Sequence, residues 1–133
     1  MARFAVVSAL VRPGGRLFVH DVHPLSDAFG EHELVVEHSY FEETEPYVDD
    51  SGLTYTDGSY VPSTVRNYSW NHSLGEIVTA VIEHGLVLER LEEHDWTSFA
   101  RFGWLVHDAD QHFSLPAGRP RVPLSFSLVA RRL

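Results

Sequence analysis

Three groups of residues carry side chains able to do chemistry. His20, Asp21 and His23 fall together in one short stretch. Two imidazoles and a carboxylate there are material for a general base, for metal ligation or for polar contacts to a bound substrate. Their spacing matches neither His-Glu-x-x-His nor a paired-cysteine zinc pattern, so no metal-ligand set is assigned. The three are read as substrate-pocket residues, against the plainer alternative of a polar loop at a strand end. Trp70, Asn71 and His72 form the second group. His72 is the candidate catalytic base, and Trp70 and Asn71 are candidate substrate contacts, although residues entering a helix also serve as staple and cap. Tyr40 joins them from a run of aromatic residues that includes Phe41, Tyr47, Tyr55, Tyr60 and Tyr68. These rings line an apolar pocket or pack across strands. The third group, His107, Asp108, Asp110 and His112, reads as a solvated loop, as does the acidic run Glu42, Glu43 and Glu45. A Gly-x-Ser-x-Gly elbow for a serine nucleophile is absent.

Composition removes several classes of function. The chain has 133 residues, a net charge of -9, ten arginines, no lysine and no cysteine. Without cysteine there is no disulfide framework, thiolate zinc site or catalytic thiol. Without lysine there is no Schiff base and no P-loop lysine. The acidic balance argues against nucleic acid and against an anionic membrane surface as partners. No apolar stretch reaches the roughly 20 residues of a membrane helix. Arg3 and the apolar run from Phe4 to Val11 lack the cleavage residues of a secretory leader, and the expected location is cytoplasmic.

The elements that must position these residues follow from the punctuation of the chain. Phe4 to Val11 is the end of a helix, stopped by Pro13, Gly14 and Gly15. Arg16 to Asp21 contains the continuous apolar run Leu17-Phe18-Val19, which fits a strand of a parallel sheet covered on both faces. Its carboxyl end carries His20, Asp21 and His23, where ligands sit in open α/β sheets. From 27 to 72 the chain turns acidic and turn-rich, with signals at Asp50-Ser51-Gly52 and Asp57-Gly58. Short runs at 33–37, 39–41, 54–56 and 65–70 predict an antiparallel β cap. Ser73-Leu74-Gly75-Glu76 has the spacing of a capping box, and Gly85 closes the helix that follows. Leu86 to Leu91 predicts a strand. Trp96 to Gln111 is aromatic and irregular, and 116–123 is loop. Leu124 to Ala130 predicts a final strand, blunted by Arg131 and Arg132.

This order resembles the C-terminal half of a class I S-adenosylmethionine-dependent methyltransferase. Leu10-Val11-Arg12-Pro13-Gly14-Gly15-Arg16-Leu17 resembles the segment that joins a helix to the fifth strand of that family. Glu76 to Leu91 resembles its last helix and sixth strand. Leu124 to Ala130 resembles its seventh strand, which runs antiparallel between its neighbours. Tyr68 to Ile77 resembles a signature of a bacterial subgroup acting on small molecules. The resemblance implies an α/β fold with a partial Rossmann-like sheet of the fifth, sixth and seventh strands and an inserted antiparallel β cap. It implies one domain over 1–133: helix end and parallel strand at 1–26, cap at 27–72, and helix, strand, aromatic loop and final strand at 73–133.

The resemblance also implies what is missing. The family binds S-adenosylmethionine with a glycine-rich loop after its first strand and an acidic residue ending the second. Gly14-Gly15 precedes a strand instead of following one, so no cofactor-binding residue is assigned and the chain alone is expected to bind no cofactor. Intact relatives would transfer a methyl group to a small molecule, and this chain would be inactive by itself. The alternative is a non-catalytic binding or assembly module built on the same half-fold. The strand from Arg16 would lack its fourth-strand neighbour, and a bare strand edge invites pairing with another chain. A dimer is therefore expected, with a small molecule as a further ligand.

Overall fold

The computed structural model describes residues 2–50 and 66–133, in the order helix α1 (Ala2–Leu10), strand β1 (Arg16–Val22), a 3-10 helix (Pro24–Ala28), β2 (Tyr47–Asp49), β3 (Asn67–Ser69), α2 (Leu74–Glu83), β4 (Leu86–His94), β5 (Trp96–Thr97), β6 (Val106–His107), β7 (Phe113–Ser114) and β8 (Ser125–Arg132). The runs predicted at 54–56, the turn at Asp57-Gly58, and Tyr55 and Tyr60 lie outside the described residues.

The main sheet has the order β1-β8-β4, with β8 antiparallel to both neighbours. β1 and β4 therefore run parallel to each other without touching. Strand alternation sends Phe126, Leu128 and Ala130 to one face, where they form the core with Val81 of α2 and Leu86 of β4. Phe4 of α1, Leu17 and Val19 of β1, and Leu74, Ile77 and Val78 of α2 pack around them. Complete burial of a side chain such as Leu128 or Val81 contributes about 1.5–3 kcal/mol. Both α-helices thus cover the same face.

The opposite face of β1 differs from expectation. Phe18, the middle of the apolar run, is 66% exposed. The run is one-sided because α1 and α2 reach only Leu17 and Val19, and no described element lies over Phe18. Nor is β1 part of a parallel ladder, since its described neighbour is antiparallel. Arg131 and Arg132 are the last two paired residues of β8. Arg132 Nη1 donates to the carbonyls of Ser8 and Val11 at 2.8 Å and of Ala9 at 3.2 Å. These are the carbonyls a helix end leaves unsatisfied, so the last strand caps the first helix. At the bulge between Leu88 and Arg90, Glu89 is the additional residue; it accepts from Arg16 Nε at 2.6 Å and Arg131 Nε at 2.9 Å.

The cap is less regular than predicted. Tyr47–Asp49 pairs with Asn67–Ser69 as a short antiparallel ribbon. The run at 33–37 contributes one bridge, Phe29 to Val36, and 39–41 forms no strand. The stretch from Trp96, read as irregular, contributes β5, β6 and β7 to a small sheet of order β5-β7-β6. Two-residue strands are below the length at which a sequence pattern can show them.

Candidate functional site

α2 begins where the sequence places it. Glu76 N donates to Ser73 Oγ at 3.2 Å, and Ser73 N donates back to Glu76 Oε2 at 2.8 Å. Both arms of the capping box are therefore closed. Hydrogen bonds from the Ser73 hydroxyl and amide hold the Glu76 carboxyl below the usual range. A further free amide of this helix start, Leu74 N, donates to the Tyr40 hydroxyl at 3.0 Å. At the other end Gly85 takes φ +78°, the left-handed conformation that a C′ glycine adopts without penalty.

This start draws Tyr40, Asn71 and His72 together. Asn71 Nδ2 donates to the carbonyls of Tyr40 at 3.0 Å and Pro24 at 3.1 Å. One amide thereby ties the loop around Tyr40, the 3-10 helix and the approach to α2. His72 Nδ1 is buried without a hydrogen-bond partner, and Glu42 Oε2 stands 3.5 Å from it. That separation is longer than a normal hydrogen bond. Ligand atoms of Glu42, His72 and Glu76 all lie within 4.8 Å of one another. Glu42 comes from the run read as a solvated face, and nothing in a separation of thirty positions along the chain signals its approach to His72. Trp70 stands apart, 45% exposed.

The cluster His20, Asp21 and His23 is divided by the period of the strand. His20 projects from the face opposite the core. Its Nδ1 is 3.0 Å from Ser127 Oγ, which is also 2.8 Å from His94 Nε2. One hydroxyl thus bridges two imidazoles, its donor and acceptor roles set by their tautomers. Trp96 stacks on His94 at 4.8 Å and on His112 at 4.0 Å. His112 therefore packs against a ring, while Asp108 Oδ1 accepts from the amides of Asp110 and His112 at 2.9 Å. The sequence gives no sign that His94, Trp96 and Ser127 would join His20.

Asp21 points to the core side of β1, opposite Phe126, and accepts from the amide of Val22. His23 is 4% exposed and caps the 3-10 helix, its Nδ1 accepting from Leu25 N at 3.1 Å. The proton of the neutral ring is therefore on Nε2. Glu93 Oε1 lies 2.9 Å from that atom. Burial pushes His23 below its ordinary value and outweighs the opposing pull of Glu93. His23 is thus a neutral, structural imidazole at this site.

Gly14 and Gly15 spend their amides on the carbonyls of Arg132 and Arg12 at 2.9 and 2.8 Å. Those amides are not presented to a ligand. Among the described residues, the strand that leads directly into an α-helix is β3, and it does so through Trp70-Asn71-His72-Ser73, without glycine. Two recesses lie away from His72. One of about 480 Å³ is lined by Val7, Leu10, Arg12 and Arg16 at the amino end of β1, and one of about 290 Å³ lies beside Asp95 and Arg121. No helix among the described residues is long and apolar enough to cross a membrane. No family model matches the chain, and no curated protein matches it.

Proposed function

We propose that this chain is the acceptor-side half of an S-adenosylmethionine-dependent small-molecule methyltransferase fold, and that it binds no cofactor by itself. The observation that carries the reading is the strand order β1-β8-β4, with β8 antiparallel between two strands that run parallel to each other and both helices on one face. This is the arrangement that the Leu10 to Leu17 segment and the order downstream of it imply for the fifth, seventh and sixth strands.

In this reading the acceptor lies beyond the carboxyl end of β1, beside His72. Methyl transfer rests mainly on in-line positioning, with a base only where the acceptor must lose a proton. The candidate for that task is the His72 imidazole, while Asn71 and Tyr40 act through the backbone they hold. Calorimetry with S-adenosylmethionine and its demethylated product tests the proposal. The chain alone should give no saturable heat, and micromolar one-to-one binding would overturn it.

A second reading, a non-catalytic assembly module, has its own observation in the outer edge of β1, which no described strand pairs. On that reading two copies associate edge to edge. Size-exclusion chromatography with light scattering should then give twice the 15.1 kDa mass. A monomer at high concentration would exclude it.

A further inference from the structure

We propose that Glu42, His72 and Glu76 form a binding site for one divalent transition-metal ion at the entrance to α2. Each offers one ligand atom, and the three atoms lie within 4.8 Å of one another. Ligands bound at about 2.0–2.2 Å from an ion stand about 3–4 Å apart. Closure from 4.8 Å therefore asks for a shift of about 1–2 Å. Glu42 can supply it, because its side chain is 47% exposed on a loop.

Two independent features point to a cation. The first is the convergence of ligand types. Two carboxylates meet one imidazole, and neither is paired with an arginine among the described residues. Hydrogen bonds from Ser73 hold the Glu76 carboxyl below the usual range, and a divalent ion is the counter-charge that the two carboxylates would share. The second is the state of the ligand atoms. His72 Nδ1 is shielded from solvent and makes no hydrogen bond, a costly condition for a buried polar atom. Glu76 gives only Oε2 to Ser73, which fixes the carboxylate and leaves Oε1 without a hydrogen bond among the described residues. The positive end of α2 opposes a cation, and the Glu76 carboxylate at that end offsets it.

The donor set selects the class of ion. One imidazole and two carboxylates suit zinc, cobalt or manganese; magnesium and calcium favour oxygen alone. The site does not depend on the methyl-transfer reading, since the ion alone is the probe.

Chelator-treated protein is titrated with Zn²⁺ by calorimetry and with Co²⁺ by visible absorption. One equivalent should bind, and His72→Ala and Glu42→Gln should each weaken binding at least tenfold. Glu42→Gln leaves the capping box intact, so its loss of affinity cannot come from a melted helix; circular dichroism checks this. The double variant His20→Ala/His94→Ala should keep the site. Absence of saturable binding overturns the proposal. So does binding that survives both single variants, or that disappears with His20 and His94.

Discussion

Asp21 Oδ1 accepts the amide of its own neighbour Val22 at 2.8 Å. That amide belongs to the outer edge of β1. The hydrogen bonds from Arg132 N to Gly15 O and from His23 N to Leu124 O fix the phase of the β1–β8 ladder. By alternation, the amides of Leu17, Val19 and Asp21 face β8, and those of Phe18, His20 and Val22 face outward. Asp21 thus blocks one of the outward positions, a means by which edge strands resist unwanted pairing. Replacing it by alanine frees the Val22 amide and lengthens the open edge. Asp21→Ala should shift the chain toward larger species in sedimentation velocity as concentration rises. An unchanged distribution would show that the contact does not guard the edge.

Asn71 should matter for stability more than its position near His72 suggests. Its amide satisfies carbonyls of both Pro24 and Tyr40. Asn71→Ala leaves part-buried acceptors unpaired and should cost about 1–3 kcal/mol in urea unfolding. Asn71→Asp should be no better, since a carboxylate cannot donate to those carbonyls.

The start of α2 gives a second, smaller pair of effects. Ser73→Ala removes the acceptor for Glu76 N and should cost about 1 kcal/mol. Tyr40→Phe removes the acceptor for Leu74 N and should cost about the same. The two substitutions act on different amides of one helix end, so the double variant checks whether they add.

His23 sets a direction for acid sensitivity. Burial lowers its folded value below the ordinary 6.5, so the unfolded chain takes up a proton first as pH falls. Its contribution is complete above about pH 6.5 and is lost as pH falls through the folded value. The urea midpoint should be lower at pH 5.5 than at pH 7.5. His23→Asn, which keeps a polar cap and has no titrating ring, should narrow that difference.

How much the sequence disclosed depended on whether the signal was local. The capping box, the Gly85 stop, the strand after Gly15 and the final strand all rest on residues within a few positions of one another. Which side of β1 would be covered was not local: Leu17, Phe18 and Val19 read alike, and only the placement of α1 and α2 separates them. The grouping of His20, Asp21 and His23 ignored the period of a strand, which sends neighbours to opposite faces. Their chemistry divides accordingly, His20 with Ser127 and His94, and His23 with Leu25 and Glu93. The approach of Glu42 to His72, and of Ser127 to His20, is set by chain reversal, which residue spacing does not encode.

The open edge of β1 is tested most directly by site-resolved amide hydrogen exchange. In the isolated chain, Leu17 and Val19 should be protected by β8, while Phe18 and His20 should exchange faster by orders of magnitude. Equal protection at all four amides would contradict an open edge and place another strand against β1.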